Sequence, residues 1–227
     1  MNAAPPGFYG KVASHGDFVM RALPSELVAA WDEWIQGAVQ TSRHQLGDGW
    51  LPLYLTSPIW RFALAAGVLG ADAWAGVMMP SVDRVGRHFP LMIAAPVDAG
   101  TGLTALVAHE IDWYDGLENC ARDTLKTDFV LEHLAPALAA LAPMKAGFNV
   151  VCEAGPHGWR MACAERDEVP SPLVDALLQG HSLWWTEGAP AVKASMLACH
   201  GMPDAQAFAA MLDGRWRERG WGLARLA

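Results

Sequence analysis

The chain has 227 residues, 52% of them apolar and 18% charged, which excludes a disordered or low-complexity polypeptide. Sixteen basic against twenty-four acidic residues give a formal charge of −8, which argues against a nucleic-acid wrapper, because that function needs a basic field. At this size roughly 70–75% of the unfolded surface can be buried, so no disulfide or metal is needed as a staple.

The longest charge-free stretches, Gly49 to Trp60 and His133 to Met144, are twelve residues each and contain proline. A membrane-spanning helix needs about 20 residues, so none is expected. The N-terminus MNAAPPGFYGK lacks a basic segment followed by an apolar one, and the expected location is therefore the cytoplasm. Cys120, Cys152, Cys163 and Cys199 form no C-x-x-C pair, so buried thiols are expected and a zinc knuckle is not.

The first helix begins after Leu23-Pro24-Ser25, with Leu27, Trp31, Trp34, Ile35, Ala38 and Val39 recurring at helical spacing, and it ends near Gly47. From Leu51 to Val97 the texture changes to short apolar runs, LPLYLT, WRFALAA, WAGVMM and FPLMIAAPV, which read as consecutive antiparallel strands. These runs are apolar at every position rather than at alternate ones, so both faces of the sheet should be covered, giving three layers.

A second helix is expected over Leu103 to Leu125, with Leu103, Val107, Ile111, Tyr114 and Leu117 facing inward. A third, FVLEHLAPALAAL, follows Thr127-Asp128 as a cap, with Pro136 a potential break. The runs FNVVCEA and WRMACAE flank Gly155-Pro156-His157-Gly158 as a hairpin, and LVDALL, closed by Gly180, forms a short helix. The strands SLWWT and VKASMLAC then precede a final helix that Asp204 caps and Gly214 ends. Trp184 and Trp185, adjacent on a strand, should face opposite ways. Without a repeat or low-complexity linker, residues 1–227 read as one domain, with a possible seam at 135–146 and a basic, tryptophan-bearing tail at 215–227.

No chemistry-bearing motif survives inspection. The string Gly100-Thr101-Gly102-Leu103-Thr104-Ala105 matches G-x-G-x-x-A, but a dinucleotide fingerprint also needs a parallel strand after its helix, and another helix follows. Gly180-His181-Ser182 lacks the glycine of a nucleophile elbow, and Trp113 stands where a zincin's second histidine would. His15-Gly16-Asp17 supplies two potential zinc ligands without a third, and Asp17 reads first as a turn residue. No catalytic, cofactor-binding or metal-ligating residue is therefore assigned.

The segment Pro80-Ser81-Val82-Asp83-Arg84-Val85-Gly86-Arg87-His88 carries more information, since it sets two arginines, an aspartate and a histidine between two apolar strands. Arginine forks suit an anionic partner, whereas an Asp83–arginine pair would make the loop an internal brace, and both readings stand. Arg84, Arg87, Asp83, His88 and Asp17 are the partner-contact candidates.

The strings GFYGKVASHGDFVMRALP, WDEWIQGAVQTSR, SPIWRFALAAGVLG, WAGVMMPSVDRVGRHFPL, HSLWWTEG and GMPDAQAFAAMLDG, taken in order, resemble the type VI secretion-associated TagF family, also called ImpM. One departure is His15, where many relatives carry arginine. The resemblance implies an α/β fold, a three-layer α/β/α sandwich with a mixed, largely antiparallel sheet. It also implies a cytoplasmic accessory protein that represses assembly of the secretion machine after translation, through the forkhead-associated scaffold protein of that system, with no catalytic role. A nucleotide-responsive switch or an unrecognised enzyme of the same locus is the alternative.

Overall fold

The computed structural model describes residues 4–98, 101–144, 174–175 and 177–221, and the backbone alone of 152–155 and 158–161. Its centre is a seven-stranded sheet of β1 (Gly7–Gly10), β2 (Val19–Arg21), β3 (Trp60–Leu64), β4 (Trp74–Met79), β5 (Leu91–Pro96), β8 (His181–Gly188) and β9 (Lys193–His200), in the order β2-β1-β5-β4-β3-β8-β9. The intervening β6 (Cys152–Gly155) and β7 (Gly158–Met161) form the separate hairpin foreseen around Gly155-Pro156-His157-Gly158. Every pairing between these strands is antiparallel, so the mixed sheet expected from the resemblance is corrected. Among the described residues, the one parallel contact is an isolated bridge between His181 and Gly201.

Helix α1 (Ser25–Leu46) forms where the periodicity places it: Pro24 fixes an extended entry, and Gly47 at φ +52° stops it with its N–H on the Arg43 carbonyl. Its inward stripe, Leu27, Trp31, Ile35, Ala38 and Val39, packs on the strand residues Phe62, Leu64, Met92 and Trp184. Ring centroids of Trp31, Phe62 and Trp184 lie 5.1–6.0 Å apart, and each such fully buried side chain contributes roughly 1.5–3 kcal/mol. Gly76 makes room for this cluster, since a Cβ there would lie 2.8 Å from the Phe62 ring.

The alternate strand residues, Ala63, Ala75, Val77, Ile93, Ala95 and Leu183, enter a second buried cluster with α3 (Leu103–His109), α4 (Ile111–Asp123) and α5 (Leu134–Ala139). β3 and β4 are buried at every position, β4 as its unbroken apolar run requires and β3 with one charged residue, Arg61, that is paired inside. Trp184 and Trp185 do face opposite ways, the first into the α1 cluster and the second 4.7 Å from the Tyr114 ring. On the second face Arg61, 5% exposed, pins α4 to the sheet, its Nε 2.6 Å from Glu118 and its Nη2 2.6 Å from Asp115.

Several expectations are corrected. LPLYLT is not a strand: Trp50–Leu55 is helix α2, with Trp50 and Tyr54 buried four residues apart and Leu51 and Leu55 exposed. The second helix is two, broken at Glu110 (φ −104°, ψ 27°), so Ile111 turns outward while Leu106 and Trp113 turn in. The third is a 3-10 turn, Leu131–His133, followed by α5, and Pro136 sits in the first turn of α5, where no intrahelical N–H is lost. Thr127-Asp128 does not cap it, since Val130 precedes the turn. The final helix shrinks to α6 (Ala210–Asp213): Asp204 instead accepts from Gln206 N at 2.7 Å in a turn, while Gly214 at φ +69° closes the helix as expected. Of LVDALL, Val174, Asp175 and Leu177 are helical and Leu178 lies in the turn that follows, while Leu173 and Ala176 lie outside the described residues.

Candidate functional site: a braced arginine loop

β4 and β5 hold the 80–88 loop between them, and the connection from β1 to β2 packs against it. Ser81 Oγ donates to the Lys11 carbonyl at 2.7 Å, and Arg84 N donates to the His15 carbonyl at 2.9 Å. Tyr54 Oη secures the loop from α2 by donating to the Ser81 carbonyl at 2.9 Å and accepting from Ser81 N at 3.0 Å.

Asp83 is the organising group. Its Oδ1 accepts from Val85 N at 3.0 Å and Arg87 N at 2.9 Å, and its Oδ2 accepts from Lys11 Nζ at 2.9 Å and Arg87 Nε at 2.7 Å. The carboxylate is buried, and burial alone would raise its pKa. The Lys11 ammonium, the Arg87 N–H groups and the Val85 N–H outweigh that effect and hold it well below the usual carboxylate range. Of the two open readings of this residue, the internal brace is the one the geometry bears out.

The other candidates divide. Arg87 is half in the brace, its guanidinium also donating to the Gly16 carbonyl, yet its side chain remains 57% exposed. Arg84 is exposed, and its tie to the neighbouring loop runs through its backbone. Half-buried His88 pairs with Val82 across the loop and sets its ring edge-on to Trp50 and Tyr54. Burial first, then the Arg43 cation, lower its pKa, with Asp83 opposing and Lys11 adding to the shift. Asp17 is exposed and accepts from Phe18 N at 2.8 Å, which is its turn role.

Sequence reading missed the apolar part of this surface. Phe18 (42% exposed), Met20 (55%) and Val85 (67%) lie on the two loops and on β2 that the brace joins, the same segments that carry exposed Arg84 and Arg87. The Phe18 ring stacks on Tyr9 at 5.6 Å, meets Phe89 edge-on at 4.8 Å, and lies 5.1 Å from Lys11 Nζ. Lys11 was also missed, although a lone lysine between Gly10 and Val12 in an otherwise apolar stretch is the signal of a buried partner.

The G-x-G-x-x-A string has its own internal anion. Asp175 Oδ1 accepts from Thr104 N at 2.9 Å and Asp175 Oδ2 from Thr104 Oγ1 at 2.8 Å. Gly102 makes room for that carboxylate, since a Cβ there would fall 1.8 Å from Oδ2; Gly100 lies outside the described residues. Where a dinucleotide would seat its phosphate, the chain has placed an aspartate of its own. Among the described residues no group of three or more His, Cys, Asp or Glu side chains is arranged for a metal, and no helix is long and apolar enough to cross a membrane. Cys120 and Cys199 are free half-buried thiols, and burial pushes Cys199 up to about 11; Cys163 lies outside the described residues.

A family model described as the TagF N-terminal domain, type VI secretion system-associated, matches residues 7–141, which include β1 to β5, the braced loop and the helices of the second face. The chain belongs to the TagF family of type VI secretion-associated proteins. The crystal structure of PA0076 from Pseudomonas aeruginosa PAO1 is similar over 92% of this chain and 94% of that one, with 37% identity and a TM-score of 0.86. No curated protein matches the chain in sequence.

Proposed function

We propose that this protein is a cytoplasmic accessory factor of the type VI secretion system that represses assembly of the machine after translation, by binding the forkhead-associated scaffold protein. The observation that carries the reading is the TagF family match over residues 7–141. Within that span the braced loop exposes Arg84, Val85 and Arg87 and the segment tied to it exposes Phe18 and Met20, and exposed guanidinium and large apolar side chains are the groups that anchor protein interfaces. In this reading the chain is one three-layer domain that acts by occupancy: repression is binding energy opposing assembly by mass action, without turnover. The contacts are Arg84 and Arg87, with Asp83 orienting the loop and His88 and Asp17 at its margins.

The alternative, a nucleotide-responsive switch, gains no support from a glycine string whose helix start already holds the Asp175 carboxylate. Calorimetric titration of the purified chain against the recombinant scaffold protein tests the proposal. Saturable binding that Arg84→Glu weakens is expected; no heat at tens of micromolar concentration overturns it.

A further inference from the structure

We propose that the outer edge of β9, together with the groove beside it, takes up an extended acidic segment of a partner protein by strand addition. This surface lies wholly beyond residue 141, outside the span that the family match covers, and it does not depend on the function proposed above.

β9 ends the sheet. Among the described residues its one strand neighbour is β8, and it runs for eight residues without a proline, against three residues for β2 at the opposite end. The tight turn between β8 and β9 sets the hydrogen-bond phase: Ala189 and Val192 exchange both bonds, Ala189 N to Val192 O at 2.7 Å and Val192 N to Ala189 O at 3.1 Å. Antiparallel pairs alternate, so Ala194, Met196, Ala198 and His200 direct their N–H and C=O groups to β8, whereas Lys193, Ser195, Leu197 and Cys199 direct theirs outward. The Ser195 hydroxyl donates to the Lys193 carbonyl at 2.9 Å, as expected of a carbonyl outside the ladder. Of the four outward residues Lys193 is exposed, Ser195 and Cys199 are half-buried and Leu197 is buried. Among the described residues no strand covers this edge, and an edge of this length is a template for another strand.

A groove of about 750 Å3 runs beside that edge, between Met196 and Leu197 on one wall and Arg215, Trp216, Arg217 and Trp221 on the other. The far wall is built rather than loose. Arg219 donates through Nε and Nη2 to Asp213 Oδ2 at 3.1 and 2.9 Å, Trp221 Nε1 donates to the Ala207 carbonyl at 3.0 Å, and the Trp216 and Trp221 rings meet at right angles, 5.6 Å apart.

Charge names the occupant. Lys193, Arg215 and Arg217 are exposed at the groove and its edge, and the one acid in its lining, Glu218, lies 3.4 Å from Arg215. This is a basic strip on a chain of net charge −8, and it complements an acidic segment. Backbone pairing would supply the affinity, the arginines the preference for acids, and Met196 and the tryptophans a seat for alternate apolar side chains.

The test is fluorescence anisotropy of three labelled eight-residue peptides with the full chain: one alternating glutamate and valine, the same peptide N-methylated at alternate residues, and one alternating lysine and valine. The acidic peptide should bind, and N-methylation or the change to lysine should weaken it at least tenfold. Ser195→Pro removes an outward N–H and leaves the β8 ladder intact, so it should weaken the acidic peptide by a similar factor with a melting temperature close to that of the unaltered chain. The double variant Arg215→Glu, Arg217→Glu should lose the preference for acid. Equal binding of the N-methylated peptide, equal binding of the lysine peptide, or no binding of the acidic peptide at millimolar concentration overturns the proposal. Should Ser195→Pro fail to fold, the N-methylated peptide on the unaltered chain decides the matter alone. Sedimentation equilibrium supplies the last arm: a dimer that Ser195→Pro dissociates assigns the edge to a second copy and overturns the acidic-partner assignment.

Discussion

Asp83 and Asp175 fill places that a reading of the sequence offers to an outside anion, one beside two arginines and the other at a glycine-marked helix start. They differ in where their donors come from and how deeply they sit. Asp83 takes three of its four hydrogen bonds from Val85 and Arg87, within four residues, and only the Lys11 ammonium from afar; it is 3% exposed. Asp175 is half-buried, and among the described residues both of its bonds come from Thr104, 71 residues away. The first therefore sets the shape of a loop, while the second ties a short segment to the start of α3. A donor-rich stretch is an anion site for ligands only if the chain has no carboxylate of its own to place there.

The largest expected effect follows from removing the deeper carboxylate. Asp83→Ala leaves the buried Lys11 ammonium and two backbone N–H groups without their acceptor, and the melting temperature should fall by about 6–15 °C. A change under 2 °C in differential scanning calorimetry would mean that the brace is not structural. Its pH dependence has a definite sign. The folded state holds the Asp83 pKa below its unfolded value of about 3.9, so its contribution is complete above about pH 5 and is lost as pH falls below 4 toward the folded value. The gap in melting temperature between the unaltered chain and Asp83→Asn should be constant from pH 5 to 8 and narrow below pH 4. A gap that widens in acid would contradict the brace.

What the sequence made legible follows from the range of the signals. Helix α1 was readable because a 3.6-residue period runs for 22 residues between a proline and a glycine, and β3 to β5 because each is a short run between turn residues that is apolar throughout save for Arg61 in β3. Trp50–Leu55 was read as a strand because six residues are too few for helical and extended periods to differ. β1 and β2 went unread because four and three residues, two of the former glycine, carry no period at all. The same rule governs the site. The Asp83 brace could be posed as an alternative because acid and arginine share one loop, whereas its Lys11 donor, 72 residues away, and the Asp175–Thr104 tie could not. The exposed Phe18 and Met20 also needed the structure, since nothing local separates an exposed phenylalanine from a buried one.

A smaller effect should come from the shallower aspartate. Asp175→Ala removes the acceptor of Thr104 N and Thr104 Oγ1, which resembles the loss of a helix cap, about 1 kcal/mol or 2–4 °C. Gly102 sharpens this test. Its φ of −71° suits any residue, so Gly102→Ala is destabilising only because the new Cβ would strike the Asp175 carboxylate. In an Asp175→Ala background the same substitution should be neutral or slightly stabilising. Additive effects in that cycle, measured by urea denaturation, would show that the carboxylate does not occupy the helix start.

The smallest effect on stability, and the most informative on function, belongs to Arg84. Its side chain is exposed and the loop holds it through its backbone N–H, so Arg84→Glu should change stability by less than about 0.5 kcal/mol. Arg87→Glu is different in kind, because it sets a second carboxylate where Arg87 Nε now lies 2.7 Å from Asp83 Oδ2, and it should lower the melting temperature as well as any affinity. The two arginines, three residues apart on one loop, thus separate recognition from architecture. If the loop contacts the forkhead-associated scaffold, Arg84→Glu reduces affinity at least tenfold while the melting curve stays in place, because an exposed arginine next in sequence to exposed Val85 loses its attraction and gains repulsion against an acidic surface. Unchanged affinity in Arg84→Glu, with loss in Arg87→Glu alone, would assign the segment wholly to the brace and move the partner surface elsewhere on the molecule.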